Sequence, residues 1–303
     1  MKIGIISLGT QNHATRRLVE ASLAAGHIPK VLNPFGFYLH IGGSGECIYH
    51  EETHATDFDV VLPRLSASTA QYGEEVVAHF EWNGTPVVNQ SYAIANARNK
   101  FRALRILAQH GLPVPPSFAA GSARYVDRSV HHTGEYPFIM KPFAGTHGNA
   151  ILLLDTPTSL QSAIGAMCDL HQDYVVQPFI GESAGNDVRV IVIGGKIVAA
   201  MKRTAQEGEF RSNIHRGGQG HTIELQDEYI DTAIRAAEAM ELNIAGVDLL
   251  ETLAGPIVLE VNPSPGFEEI ESVTGIKVAE AMIAFAVEHS QVTRKTNYGE
   301  QYK

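Results

Sequence analysis

Asp248, Glu260 and Asn262 are the residues whose types and spacing point most directly to chemistry. They lie in two apolar runs, Gly246-Val247-Asp248-Leu249-Leu250 and Ile257-Val258-Leu259-Glu260-Val261-Asn262. The turn-rich stretch Leu253-Ala254-Gly255-Pro256 joins them, which is the pattern of an antiparallel hairpin. Glu260 and Asn262 are two apart, so in a strand they share a face. A hairpin centred near Ala254 sets Asp248 directly across from Glu260 on that face. Two carboxylates and an amide oxygen then converge in a wall of Val, Leu and Ile. Hard oxygen donors of this kind suit Mg²⁺ held against nucleotide phosphates. An amphipathic hairpin with three polar residues facing solvent would give the same pattern.

Further candidates surround this hairpin in the sequence. Lys141 sits where an apolar run meets Pro142-Phe143-Ala144-Gly145-Thr146-His147-Gly148. A lysine there can contact phosphate, with loop N–H groups covering the oxygens; it can equally be a surface lysine before a turn. Tyr174-Val175-Val176-Gln177-Pro178-Phe179-Ile180 reads as a core strand ending in a hinge, whose backbone could meet an adenine edge. Arg189, Arg203 and Arg211 recur beside these segments, and guanidinium groups neutralise phosphate bidentately. An ideal two-residue turn at Gly194-Gly195 would put Arg189 and Arg203 on opposite faces, so spacing alone does not bring them together. His50-Glu51-Glu52-Thr53-His54 matches the H-E-x-x-H zinc pattern, which needs a helix to align both imidazoles. Its glycine- and threonine-rich surroundings suit turns and short strands, so the match reads as chance.

The elements that must position these residues follow from periodicity. A strand at Lys2–Leu8, a helix from about Ala14 to Ala25 ended by Gly26, and short strands near Pro29–Leu32, Asp59–Leu62 and Pro86–Asn89 alternate as in a small parallel sheet covered by helices. No G-x-G-x-x-G follows the first strand. A helix at about Asn99–His110 comes next, then strands at Pro137–Lys141 and Ala150–Leu154. Thr156 caps a helix that starts at Pro157 and runs to about His171. From Tyr174 the pattern gives a strand, a hairpin around Gly194-Gly195, a helix near Tyr229–Met240, the acidic hairpin and a last helix near Val278–His289. Ser290 to Lys303 reads as a polar tail.

Composition bounds the function. With 303 residues, 44% hydrophobic and 18% charged, the chain can bury a substantial core in about two domains. A net charge of −10 disfavours indiscriminate binding to nucleic acid or anionic membrane. Cys47 and Cys168 give neither a metal-ligand spacing nor a disulfide framework. The apolar N-terminal run is too short for a signal peptide, and no run reaches the roughly 18 apolar residues of a membrane span. The expectation is a soluble cytoplasmic protein.

In this order the features resemble the ATP-grasp superfamily, and within it the RimK family of α-L-glutamate ligases. The most specific stretch runs from Lys202-Arg203 through Glu207-Gly208-Glu209-Phe210-Arg211-Ser212-Asn213-Ile214-His215-Arg216-Gly217-Gly218 and Ala245-Gly246-Val247-Asp248 to Glu260-Val261-Asn262-Pro263-Ser264-Pro265-Gly266. The resemblance implies an α/β (α+β) ATP-grasp fold behind a Rossmann-like pre-ATP-grasp domain. The corresponding divisions are residues 1–95, a central subdomain 96–174, a C-terminal metal-bearing subdomain 175–290 and a tail 291–303. It makes Lys100 and Lys141 phosphate lysines and lays Gln177, Pro178, Phe179 and Ile180 along the adenine hinge. Asp187 would lie near the ribose, Arg211, Ser212 and Asn213 by the phosphates, and Arg203 near a reacting acyl phosphate. Asp248, Glu260 and Asn262 would hold two Mg²⁺ or Mn²⁺ ions, with Glu260 bridging. Arg216-Gly217-Gly218 and Ser264-Pro265-Gly266 would border the acceptor carboxylate and the incoming amine. Lys141, Arg203 and Arg211 are the residues expected to act on the transferring phosphoryl group.

Two departures mark this chain. Pro178 stands where the family usually has an acidic residue, and His147 and Ala150 where it typically has Gln and Gly. Pro178 retains its carbonyl, so adenine contacts through backbone carbonyls and the Phe179 N–H stay available. The activity implied is ATP-dependent ligation of L-glutamate to a carboxylate acceptor, such as the C-terminus of a small-subunit ribosomal protein, by a homo-oligomer, tetrameric by resemblance. Readings left open are ligation to free glutamate or a small molecule, an ATP-binding regulatory module with little turnover, and a zinc peptidase through His50 and His54.

Overall fold

The computed structural model describes residues 1–42, 47–51, 53–55, 57–145, 151–206 and 218–300. It opens with β1 (Lys2–Ile6), α1 (His13–Ala24) and β2 (Ile28–Leu32). Asn12 caps α1, its side chain accepting from the Thr15 N–H. A small antiparallel sheet follows, made of β3 (Phe37–His40), β4 (Cys47–His50) and β5 (Thr53–His54). Then come β6 (Val60–Pro63), α2 (Ala70–Trp82) and α3 (Ser91–Arg98). Strand order β2-β1-β6 is parallel throughout, as the βα rhythm predicts. The strand expected at Pro86–Asn89 is reduced to a single bridge between Val61 and Val87.

A central unit contains α4 (Lys100–Gln109), α5 (Val126–Thr133), β7 (Phe138–Pro142), β8 (Leu152–Leu154), α6 (Pro157–Asp169) and β9 (Tyr174–Pro178). Its three strands order β8-β7-β9. Thr156 and Ser159 form a capping box at α6 with Pro157 in the first turn, which fixes that helix start from local sequence alone. Phe118, Phe138, Leu160, Ile164 and Tyr174 form this unit's own core.

The last unit is a five-stranded antiparallel sheet ordered β12-β11-β10-β13-β14. It is built from β10 (Asn186–Ile193), β11 (Lys196–Thr204), β12 (Gln219–Thr222), β13 (Ile244–Thr252) and β14 (Gly255–Asn262). α7 (Asp227–Ala239), α8 (Glu268–Thr274) and α9 (Val278–Glu300) complete it. The last helix continues well past His289, through most of the stretch expected as a tail; polar composition alone contains no stop signal.

The two faces of this sheet have different partners. Val188, Val190 and Val192 of β10 point to a core shared with α7 and α4. The alternate residues Ile191 and Ile193 join a core with Phe267, Val278, Met282 and Ile283 that continues into β1 and β6. Asp187 and Arg189 follow the same two-residue alternation, so one face is apolar at one end and ionic at the other.

Two devices hold the first unit against the last. Arg17 of α1 donates to Glu271 at 3.1 Å and to Glu280 at 3.0 Å, joining α1 to α8 and α9. Asn89 donates to the Ile244 and Pro263 carbonyls at 2.7 and 2.9 Å and accepts from the Ile244 N–H at 2.8 Å. It therefore fixes the start of β13 and the chain leaving β14. Between those points Pro265 lies on Gly246, where an added Cβ would stand 2.6 Å from the proline's Cβ. Only glycine lets that loop lie so close to β13.

Candidate active site

The acidic hairpin forms with Asp248 opposite Glu260 and Gly246 opposite Asn262. Its turn is one residue tighter than expected, because Thr252 pairs with Gly255. A bulge at Asp248/Leu249 leaves Leu259 without an opposing residue and restores the pairing at the acidic rung. A second bulge, between Ile191 and Val192, re-phases β11 against β10. Arg189 and Arg203 consequently share a face instead of falling on opposite ones, the arrangement an ideal turn would have imposed.

The charges interlock. Arg203 donates to both oxygens of Asp187, at 2.6 and 2.5 Å, and its Nη2 lies 3.2 Å from Asp248 Oδ1. Arg189 grips Asp248 with two N–H groups, Nη2 reaching Oδ2 at 2.7 Å and Nε meeting Oδ1. Burial on its own would raise the Asp248 pKa, but the charges of Arg189 and Arg203 outweigh it and hold the carboxyl below its ordinary range. Asp187, expected near a ribose, spends both carboxylate oxygens on Arg203.

The lysines arrive from the central unit. Lys141 pairs with Val175 one residue before the end of β7 and is 6% exposed. Burial pulls its ammonium down to about 8. Lys100, the first residue of α4, donates to the Gly145 carbonyl at 2.9 Å and lies 3.3 Å from Glu260 Oε1. The 143–145 turn is further tied to α4 through the Lys100 N–H and a stack of Phe101 on Phe143.

Gln177, Pro178, Phe179 and Ile180 line the same cleft. Two details differ from expectation. The Phe179 N–H donates to the Pro137 carbonyl at 2.8 Å, so it is not available to a base. The Gln177 side chain donates to Ser117 Oγ at 2.8 Å. Among the described residues the Ile180 N–H has no acceptor, which makes it the donor left at the hinge. Pro178 also packs on Gly134, where a Cβ would come within 2.8 Å of its ring.

These groups converge on one cleft of about 480 Å³, the size of a site for a small molecule. Its walls also include Asn12, His13, Arg64 and Ser66 from the first unit, which sequence reasoning did not single out. Arg64 had a usable signal: it follows a strand of a parallel sheet at the carboxyl end, where open α/β sheets bind ligands. Arg211, Ser212, Asn213, Arg216, Gly217, His147 and Ala150 lie outside the described residues.

The donor set fits a hard divalent ion. Asp248 and Glu260 face each other across a single rung, and Asn262 is two residues on, its Nδ2 3.4 Å from both Gly246 O and Asp248 Oδ2. Each carboxylate oxygen has two lone pairs, so Asp248 can serve its arginines and an ion together. The zinc pattern has no such fit. His50 and His54 lie in a two-strand hairpin on neighbouring rungs, His50 buried and His54 exposed. Neighbouring rungs point to opposite faces. Among the described residues no group of three His, Cys, Asp or Glu could hold a metal, and no helix is long and apolar enough to cross a membrane.

The model of the RimK-like ATP-grasp domain matches residues 97–286, and that of the RimK PreATP-grasp domain residues 1–94. The chain belongs to the RimK-like ATP-grasp family. Its RimK-like relatives include a probable alpha-L-glutamate ligase of Syntrophotalea carbinolica, 42% identical over 299 residues and 99% of each chain. Another, from Nitrosococcus oceani, is 42% identical over 94% of this chain and 95% of its own. Among solved structures, a RimK domain protein of Sphaerobacter thermophilus aligns with TM-score 0.73 at 22% identity, covering 95% of this chain and 100% of that one. The ATP-grasp ligase PsnB, complexed with minimal precursor, Mg and ADP, gives 0.72 at 22% over 96% and 98%. D-alanine–D-alanine ligase of Bacillus anthracis complexed with ATP gives 0.71 at 18% over 98% and 99%. These structures share the ATP-grasp fold with the RimK-like chain, and its first unit is the pre-ATP-grasp domain.

Proposed function

We propose that this protein is an ATP-dependent carboxylate–amine ligase that adds L-glutamate to the C-terminal carboxylate of a peptide or protein. The observation that carries the reading is the meeting of Asp248, Glu260 and Asn262 with Lys100, Lys141 and Arg203 in one cleft. It occurs in a chain 42% identical, end to end, to a probable alpha-L-glutamate ligase. The adenine of the co-substrate would lie along 177–180, read by the Ile180 N–H and by backbone carbonyls. Lys141 and Lys100 would hold its phosphates, with Arg211, Ser212 and Asn213 closing over them.

Asp248, Glu260 and Asn262 would hold two Mg²⁺ ions, which would neutralise phosphate charge. The acceptor carboxylate oxygen attacks the γ-phosphorus, and ADP leaves with the electron pair of the broken P–O bond. Arg203, locked by Asp187, lies ready to offset charge on the transferring group. The amine of L-glutamate then attacks the acyl carbon. An amide forms, and phosphate departs. The nucleophile belongs to a substrate, so the chain needs no serine or cysteine for the task. A ribosomal protein C-terminus is one acceptor of this chemistry, free glutamate another.

The test is purified protein with Mg²⁺, ATP and L-glutamate, with and without peptides ending in Glu. Nucleotides are followed by chromatography and peptides by mass. ADP accompanied by peptides heavier by whole glutamyl units is expected. Glutamyl oligomers with unmodified peptide would move the acceptor to free glutamate; ATP binding without any turnover would overturn the ligase.

The Lys141 ammonium adds a pH signature. It is charged below a pKa of about 8 and loses its charge as pH rises through that value. The apparent second-order constant for ATP, kcat/KM, should therefore fall about tenfold per unit above pH 8. Lys141→Arg, whose side chain stays charged, should abolish that limb whatever its absolute rate. A profile flat to pH 10 would remove Lys141 from phosphate binding.

A further inference from the structure

The cleft has a second cationic end that the phosphate machinery does not use. Arg64 follows β6 directly, and its Nη2 donates to the Pro265 carbonyl at 2.6 Å. The guanidinium carbon lies 5.7 Å from the centre of the Phe267 ring. Its Nε is shut off from solvent and has no hydrogen-bond partner among the described residues. Among the described residues the other arginines that are not exposed, at 17, 98, 189 and 203, all reach a carboxylate within 3.4 Å. Arg64 reaches none. Burial lowers its pKa to about 10, so it is still charged at neutral pH.

A half-buried guanidinium with no carboxylate partner among the described residues is costly, and an unsatisfied buried donor calls for an explanation. A second unpartnered nitrogen lies against the same Phe267 ring. His13, the first residue of α1, sets its ring edge-on to Phe267 at 6.2 Å, and its Nδ1 is buried without a partner among the described residues. Arg64 and His13 both line the cleft that holds Asp248 and Glu260. Arg64 is joined to the loop three residues past Asn262. The lysines assigned to phosphate come instead from β7 and α4. What is missing at this end is an anion supplied from outside, and the amino-acid substrate brings one.

We propose that Arg64, with His13 against the same Phe267 ring, binds a carboxylate of the amino-acid substrate other than the one that is phosphorylated. The proposal rests on the ligase reading for the identity of that substrate. The Arg64 guanidinium N–H groups that face the cleft would hold the carboxylate as a fork. Phe267 shields the pair from water. A glutamate that binds through this fork is fixed in orientation before its amine attacks.

The test compares native protein, Arg64→Gln and Arg64→Lys, all with ADP and Mg²⁺, by calorimetric titration with L-glutamate and with glutarate. Steady-state kinetics are run in parallel. Arg64→Gln should weaken L-glutamate at least 30-fold or so, while the KM for ATP and the melting temperature stay put. Arg64→Lys keeps the charge but not the fork and should restore part of the loss. Glutamate amidated at its α- or γ-carboxyl, and an acceptor peptide ending in Gln, identify which carboxylate is held. The compound that binds poorly to native protein should lose nothing more in Arg64→Gln.

Unchanged glutamate binding in both variants would overturn the subsite, even with glutamyl transfer intact. A rise confined to the KM for ATP would also overturn it, by assigning Arg64 to phosphate. Carboxylate binding that depends on Arg64 in a protein that transfers no glutamate would keep the subsite and remove the ligase. Should Arg64→Gln fail to fold, the Arg64→Lys variant and the amide series on native protein decide the matter alone.

Discussion

Asp248→Ala is expected to lower the stability of the protein by about 3–5 kcal/mol while abolishing turnover. Asp248 is 5% exposed, and its carboxylate lies between Arg189 and Arg203. Arg203 keeps Asp187 when Asp248 is removed, but Arg189 is left with no carboxylate among the described residues. A buried charge stripped of its partner costs more than the pair ever contributed. The loss should appear as a lower urea midpoint with an unchanged slope. Asp248→Asn retains an acceptor oxygen and should lose less. The acid limb follows from the same contacts. Because the carboxyl's folded pKa lies below the ordinary aspartate value of 3.8, this stabilisation is complete above pH 3.8 or so. It is lost only as pH falls through the lower folded value. A urea midpoint equal to that of the native protein would mean that the arginines do not depend on Asp248.

The acidic rung was legible because two simple periodicities meet there: alternation along a strand, and reflection through a turn. Neither contains a bulge, and this site depends on two. The one that frees Leu259 compensates for a tighter turn, so the expected pairing of Asp248 with Glu260 survives a misplaced hairpin centre. The one between Ile191 and Val192 carries Arg203 to the face of Arg189, a result no ideal hairpin would give. Helix starts with side-chain caps, at Asn12, Asn99 and Thr156, were readable to within a residue or two. α2 and α3 have no side-chain cap hydrogen bond at their N-caps and were passed over. Arg64 stayed unread for a different reason. Its partners, Pro265 and Phe267, lie some two hundred positions away, and its most telling property is a partner it does not have.

Glu260→Gln should separate metal chemistry from folding, which Asp248→Ala cannot. Glu260 and Asp248 share one rung, but their surroundings differ. The Glu260 side chain is 30% exposed and its ion pair is with Lys100 at 3.3 Å. A partly solvated pair of that kind contributes about 0–1 kcal/mol, and glutamine preserves the shape and one acceptor oxygen. The urea midpoint should therefore hardly move. Turnover should fall about a thousandfold, the scale of several kcal/mol of charge stabilisation lost from the transition state. Rate as a function of Mg²⁺ concentration is the decisive readout, because a variant that binds the ion more weakly recovers in excess Mg²⁺ only if the ion acts at this carboxylate. Full activity at low Mg²⁺ would take the ion away from Glu260. A fall in stability as large as that of Asp248→Ala would make Glu260 a structural group, and the two carboxylates would then be partners in the fold instead of a ligand pair.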